Sequence, residues 1–310
     1  MNPSLLDRIV YVRPDQLRAS WRILLFLGAG IAASNLVVPL IKTWLPESSI
    51  PWLSATLECL AVLVATRYAV KSLDGESWEA VGLGRASWSI RSLLPAALSG
   101  ALAIAIPTGL LVAHGDLTFV SAPADHGVRA LLLSAAMLAP AALTEELLFR
   151  GYPFTVLRET RGWAAATAVT SVMFGLLHLR NPGANVLAIV NVVAAGVFLA
   201  GIRVVTGSLA AAWAAHFAWN WTMSVGFHTA VSGLAGSATD YALVDTGPEW
   251  LSGGVWGPEG GALAAVGMTA SFAGLWWVTG RNRRAGSVPA ASVSLSMNAG
   301  RPSGAREHEA

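Results

Sequence analysis

The sequence predicts an all-α polytopic membrane protein, a bundle of about eight transmembrane helices, and three observations carry that expectation. Hydrophobic residues make up 54% of the 310 and charged residues only 12%, whereas a water-soluble domain ordinarily carries about 25% charged residues. Mean hydropathy is +0.56. Apolar runs recur near residues 22–41, 51–70, 92–113, 128–149, 163–178, 184–202, 206–227 and 261–279, each approaching or reaching the roughly 20 residues that cross about 30 Å of hydrocarbon as a helix. Abundant glycine (31) and proline (15) suit close-packed and kinked membrane helices better than disorder between the runs.

Taken in order, the opening stretch MNPSLLDRIVYVRPDQLR lacks the apolar core and small-residue cleavage site of a signal peptide, so the first helix is expected to direct insertion. Arg8, Arg13, Arg18 and Arg22 lead into it, and Arg67, Lys71, Arg85 and Arg91 surround the loop between the second and third runs. Arg158 and Arg161, Arg203, and then Arg281, Arg283 and Arg284 recur on the same side of the alternation, while Lys42, Arg129 and Arg180 fall opposite with Glu47, Asp116, Asp125, Asp240, Asp245, Glu249 and Glu259. The excess of basic residues places both termini in the cytoplasm and favours an even number of spans. Residues 74–92 read as an interfacial piece with Trp78 and Trp88 at the headgroups, and 228–260, rich in Gly and Ser, as a mobile external connection. One transmembrane domain is expected over 1–284, its motif-bearing core at 125–225, followed by a small, polar, disordered cytoplasmic tail at 285–310.

Composition also excludes classes. A net charge of +2, with basic residues scattered among loops, gives no nucleic-acid surface. The single cysteine, Cys59, allows neither a disulfide framework nor a cysteine metal cluster.

Chemistry is expected where polar groups interrupt the spans. The fourth run reads APAALTEELLFRGY and places Glu145, Glu146 and Arg150 in an apolar helix, with Pro140 expected to loosen the backbone one turn before the glutamates. The fifth ends SVMFGLLHLRN, with Phe174 and His178 four apart, and the seventh contains AAWAAHFAWNW, with His216 and Asn220 four apart on one face. Glu145, His178 and His216 lie thirteen to fifteen residues from Arg158, Trp163 and Arg203 respectively, which at 1.5 Å per residue puts all three about 20 Å from one face. An intramembrane ionisable group is a functional candidate, and three at one depth form a site. Glu146 and Arg150, spaced i,i+4 in the favourable order, can neutralise one another, as a structural lock or as part of the catalytic set. Glu145, about 100° further round the helix, is left to take a proton as a general base, with His178 holding or helping to deprotonate the same water. His216 and Asn220 can donate hydrogen bonds to an oxyanion. Asn181, Asn185 and Asn191 are weaker candidates that cap or link helices, and His114 and His228 read as interface groups.

EELLFRGY at 145–152, FGLLH at 174–178 and HFAWN at 216–220 resemble the EExxxR, FxxxH and HxxxN/B motifs of the CPBP family, the CAAX-protease and bacteriocin-processing intramembrane endopeptidases, also called the ABI family. The resemblance covers about residues 125–225 and implies a core of eight helices with cytoplasmic termini in a bacterial plasma membrane. It implies a protease in which Glu145 and His178 activate water and His216 and Asn220 form the oxyanion site, with Glu146 and Arg150 completing the first motif. The implied substrate is a peptide or protein entering from the membrane or the cytoplasmic side; relatives that cut after a prenylated cysteine do not make this substrate prenylated.

Two other classes compete. A proton-coupled transporter would relay protons through Glu145, His178 and His216, but would carry a broken helix repeated in two pseudo-symmetric halves, which the sequence lacks. A non-catalytic immunity-like scaffold would keep the fold alone. Glu145, His178 and His216 also have the ligand types of a zinc site, and the family has a history of annotation as metalloprotease. No HExxH pair is present, and a metal-bound Glu145 would leave the base role to Glu146, so activation of water without a cofactor is the favoured expectation.

Overall fold

The computed structural model describes residues 9–13, 16–44, 50–121, 128–234 and 241–284. Helices form at all eight apolar runs. Helix α1 covers Ala19–Ala32 and continues through a wide π turn at Ala33–Val37 into Val38–Lys42. It is followed by α2 (Ile50–Tyr68), α3 (Ile90–His114), α4 (Val128–Glu146), α5 (Tyr152–Leu177), α6 (Val186–Thr206), α7 (Leu209–Trp221) and α8 (Leu263–Arg284). Six segments among the described residues are long and apolar enough to cross a membrane outright. One of these, Leu131–Arg180, is 50 residues long, far more than a single crossing needs. Helix α7, 13 residues long and carrying His216, Asn220 and three tryptophans, is not among the six. The fold is an all-α membrane bundle.

Local chemistry sets the helix ends. Ser89, Asn185 and Ser208 accept the backbone N–H of Arg91, Ala188 and Ala211, satisfying donors that the first turns of α3, α6 and α7 leave open. Helix α4 runs through Pro140, where a looser backbone is expected, and Trp213 on α7 donates its indole N–H to the Ala139 carbonyl at 2.8 Å. The irregularity falls after the glutamates, in a π turn at Leu147–Gly151. Gly151 leaves helical geometry at φ −84°, ψ −118°, and Pro153 restarts the helix in the next first turn. Gly162 then turns the chain at φ 82°, ψ 173°, a conformation essentially reserved for glycine. Residues 152–161 therefore form a separate short piece before the spanning part of α5.

Two contacts organise the bundle. Helices α3 and α7 meet backbone to backbone: a Cβ on Gly100 would stand 2.0 Å from the Ala215 carbonyl oxygen. Around that crossing Ala103, Ile104, Phe198, Ile202, Ala211 and Ala212 are buried together, small residues allowing the close approach that drives helix association in lipid. A second cluster joins Phe26, Val62, Leu147, Tyr152 and Leu209. The opposite faces of the helices are apolar and exposed, as at Leu24, Leu98, Leu132, Val190 and Trp276, a surface suited to hydrocarbon.

The two ends of the bundle differ. At the α6–α7 turn, Ser208 donates to the Ser87 carbonyl and the Leu209 N–H to the Gly82 carbonyl, each at 2.8 Å, so residues 82–87 close that end. Trp88 of this piece is exposed and meets Trp213 edge-on, whereas Trp78 packs into the second cluster. Nearby Arg22 pairs with Asp74 at 2.6 Å and Glu159 at 3.4 Å.

At the other end, the segment expected to be a mobile connection is built into the bundle over residues 228–234 and 241–260. Strand β1 (Leu117–Ser121) pairs antiparallel with β2 (Tyr241–Asp245), Leu117 opposite Asp245 and Ser121 opposite Tyr241. A helical turn at Glu249–Ser252 and two 3₁₀ turns follow. Gly257 sits at φ 95°, and a Cβ there would meet the Ala230 carbonyl oxygen at 2.4 Å. Its glycines serve backbone-to-backbone packing, which composition alone reads as flexibility. Residues 235–240 and the tail at 285–310 lie outside the described residues.

Orientation is checked by cysteine accessibility in a Cys59→Ala background. With the basic loops cytoplasmic, a cysteine at the exposed Trp250 is expected to react with an impermeant reagent added outside intact cells, and one at Glu159 only after permeabilisation. The reverse pattern would invert the topology.

Candidate active site

The adjacent glutamates of α4 point in different directions. Glu146 is fully buried, while the Glu145 side chain keeps 37% of its exposure. Arg150, also fully buried, donates to Glu146 Oε1 at 3.1 Å. Its second nitrogen donates to the Gly196 carbonyl of α6 at 3.1 Å, and its guanidinium lies 4.4 Å from the centre of the Phe174 ring of α5. The Arg150 cation is thus held by a carboxylate, a carbonyl and an aromatic face from three helices, while its Nε is buried without a hydrogen-bond partner. Glu146 Oε1 also meets His216 Nδ1 of α7 at 2.9 Å, whereas Oε2 has no partner. The whole carboxylate therefore works through one oxygen, serving Arg150 and His216 together.

These contacts fix the imidazoles. A carboxylate accepts, so Nδ1 of His216 carries the proton and Nε2 is turned toward Glu145 Oε2, 3.7 Å away. His178 Nδ1 lies 2.8 Å from the Phe174 carbonyl, and because a carbonyl only accepts, neutral His178 presents an acceptor lone pair at Nε2. The Phe174 ring is centred 4.8 Å from His178 and 6.0 Å from His216, packed between the two imidazoles.

Glu145, His178, His216 and Asn220 line a single cavity of about 410 Å³. Glu146 and Arg150 do not reach its wall and stand behind it. The sequence grouped six residues as one set; the geometry divides them into four that face the cavity and two that hold His216 and the helices. Glu145, His178 and His216 share the cavity but do not close into a ligand cage: among the described residues no three His, Cys, Asp or Glu side chains gather as a metal site. Nδ1 of His178 lies on a backbone carbonyl and Nδ1 of His216 on Glu146, which leaves Nε2 of each ring outside those two contacts.

The asparagines have structural duties. Asn185 caps α6, and Asn191 donates to the carbonyls of Glu259 and Gly261 at 3.0 and 2.8 Å. Asn181 lines the cavity and donates to the Ser232 carbonyl at 2.9 Å. His114 pairs with Asp116 at 2.9 Å and His228 stacks edge-on against Tyr241.

Sequence reasoning missed Glu259, which also lines the cavity and accepts from Trp219 Nε1 at 2.7 Å, from the Ser232 N–H at 2.5 Å and from Ser232 Oγ at 2.8 Å. It likewise missed Trp256, fully buried against Phe149, Phe174, Ala188 and Val192. No local signal marks either one, since an acid in a Gly-Pro loop is ordinary. The segment's unusual glycine density is the only hint that it packs.

A buried charge lock thus stands behind a largely apolar cavity whose wall carries a few converging polar groups, within a membrane helix bundle. Residues 127–222, from the head of α4 to just past the end of α7, match the family model described as type II CAAX prenyl endopeptidase Rce1-like. Over that stretch, which carries all the motif residues, the chain is similar to this family of CAAX-type proteases. No curated protein and no solved structure matches the chain.

The lock and the cavity wall respond differently to substitution. Arg150→Ala, leaving buried Glu146 without its cation, and Glu146→Gln, the converse, are each expected to cost about 3–5 kcal/mol and to reduce monodisperse protein after size exclusion. Glu145→Gln is expected to leave the yield intact. Equal loss in all three would show that both glutamates are structural.

Proposed function

We propose that this protein is an intramembrane endopeptidase in which Glu145 and His178 activate water and His216 and Asn220 receive the oxyanion. The observation that carries this reading is the convergence of four polar side chains from three helices on one cavity, with a charge lock behind them. The family match agrees with it.

The chemistry follows from the atoms. Water held between Glu145 and the acceptor Nε2 of His178 adds its oxygen to the scissile carbonyl carbon as Glu145 takes one proton. Asn220 donates through its carboxamide to the developing oxyanion. His216 can donate at Nε2 only when both ring nitrogens carry protons, and Glu146 at Nδ1 with Glu145 beside Nε2 supply the negative charge that this imidazolium needs. Collapse of the tetrahedral intermediate breaks the C–N bond, and Glu145 returns its proton to the departing nitrogen, leaving a carboxylic acid and an amine. No step calls for a metal.

Substrate reaches the cavity sideways from the membrane in this reading. Leu177 and Leu234 line the cavity and are 61% and 57% exposed on the outside of the bundle, so its rim meets the lipid-facing surface. Ser208, Leu209 and residues 82–87, which close the basic end, contribute nothing to the lining. Residues 1–284 act as one transmembrane unit with the chemistry in 125–225, in a bacterial plasma membrane with cytoplasmic termini.

Loss of one oxyanion donor typically lowers rate by a factor of about 100–1,000. Asn220→Ala is therefore expected to bind a membrane-inserted peptide within a few-fold of wild type and to cleave it about that much more slowly in single-turnover assays in liposomes. Normal cleavage by Asn220→Ala, together with loss of a proton-flux signal, would replace the peptidase by a proton relay. Chelator treatment and dialysis are expected to leave turnover unchanged; tightly held stoichiometric zinc required for cleavage would overturn metal-independent activation.

A further inference from the structure

Arg203, in the last turn of α6, is 2% exposed and forms no ion pair and no side-chain hydrogen bond among the described residues. Its Nε is sealed without a partner, and its guanidinium packs on the backbone of Gly82, where a Cβ would stand 2.5 Å from Cζ. An arginine stays charged inside a protein, and a buried charge without a counter-ion is costly. Arg150, equally enclosed, is met by a carboxylate, a carbonyl and a ring. Around Arg203 the carbonyl end of α6 supplies only the partial negative charge of a helix terminus.

The neighbouring charges do not supply the rest. Arg158, on the short piece that precedes Gly162, is the charged side chain that acts on Arg203, and it repels. Arg158 itself meets one oxygen of Glu159 at 3.5 Å, while Arg22 takes the other at 3.4 Å and Asp74 at 2.6 Å. Glu76 lines the cleft at Arg22, and Glu79 turns toward Ser77 and Gly84. Three arginines thus share two carboxylates, and Arg203 is the one left over. Arg158 keeps 27% of its side-chain exposure and lies 5.1 Å from the centre of the Trp163 ring, itself 41% exposed, a pairing of cation and indole suited to the headgroup level of a membrane.

We propose that Arg203 and Arg158 form a binding site for a phosphate anion at the basic end of the bundle, filled in the membrane by the headgroup phosphate of an anionic phospholipid. A guanidinium fork matches two oxygens of one phosphate, and basic groups between helices at the cytoplasmic end are where such headgroups lodge. Gly151 and Gly162, both non-helical, set the piece that carries Arg158 apart from the spanning helices. A phosphate shared by Arg158 and Arg203 braces that piece against α6 and gives Arg203 the counter-charge it lacks. Neither arginine lines the cavity that holds Glu145, His178, His216 and Asn220, so the site stands whether or not the protein is a peptidase.

The test uses the full chain, stripped of lipid in a neutral detergent, with three probes: phosphatidylglycerol, phosphatidylcholine of the same chains, and inorganic phosphate. Binding is read by native mass spectrometry and stability by the thermal midpoint. Phosphatidylglycerol is expected to bind and to raise the midpoint. Arg203→Gln and Arg158→Gln are each expected to bind it about 10–100-fold more weakly, the loss of a charge-assisted hydrogen bond. Arg161→Gln, an exposed cation of the same piece, is expected to cost no more than about fivefold. Without lipid, Arg203→Gln is expected to melt no lower than wild type, because it removes an uncompensated charge; a lower midpoint there would make Arg203 a structural cap and overturn the proposal. A gain from phosphatidylglycerol alone identifies the lipid as ligand, and an equal gain from inorganic phosphate identifies free phosphate as the ligand of the same site. Unchanged binding in both Arg203→Gln and Arg158→Gln overturns the site, as does an equal loss in Arg161→Gln or a gain from phosphatidylcholine as large as that from phosphatidylglycerol. Should Arg203→Gln fail to accumulate, the partly exposed Arg158 carries the binding comparison, and unchanged binding in Arg158→Gln alone then overturns the site.

Discussion

The arrangement depends on one buried oxygen. Glu146 Oε1 accepts from Arg150 and from His216, and Arg150 in turn reaches the Gly196 carbonyl and the face of Phe174. Four helices are tied at one point by groups that lipid cannot solvate. Removing a partner leaves a buried charge unpaired, whereas the intact cluster roughly balances its own desolvation. The lock therefore adds little net stability, yet it specifies how α4, α5, α6 and α7 must face one another. His216 could not hold its tautomer or its direction without it.

The catalytic proposal follows from that geometry. A histidine whose Nδ1 is fixed by a carboxylate presents only Nε2 to the cavity, and a second histidine fixed by a backbone carbonyl presents its own Nε2 as an acceptor. In the proposed reaction His178 accepts at Nε2, whereas His216 donates there only as an imidazolium between Glu146 and Glu145. Phe174 lies against both imidazoles and against the Arg150 guanidinium. Its ring carries as much of the arrangement as the polar groups on either side.

Close backbone packing makes room for this polar interior. The contact of Gly100 with the Ala215 carbonyl holds α7 one residue from His216, and the tight turns around Gly257 let the segment after α7 fold down on the bundle. That segment sets Trp256 behind Phe174 and Glu259 into the cavity, and Asn191 pins its end to α6. Hydrocarbon surrounds most of the protein, so packing of small residues and satisfied backbone groups must do what hydrophobic burial does in water.

The sequence by itself determined the helical membrane fold, because apolarity and span length are local properties that lipid selects directly, as in the runs that became α3 and α6. It also singled out Glu145, Glu146, Arg150, His178, His216 and Asn220, since a polar side chain in an apolar helix is visible one residue at a time, and i,i+4 spacing puts pairs on one face. Only the tertiary structure decided that Glu146 serves His216 as well as Arg150, that Glu146 and Arg150 stand behind the cavity wall, and that the backbone yields at 147–151. It alone brought Glu259 to Trp219 and turned a Gly-rich connection into a packed element. Those outcomes depend on contacts between residues 40 or more positions apart, and no local period or spacing encodes which distant donor a carboxylate will meet.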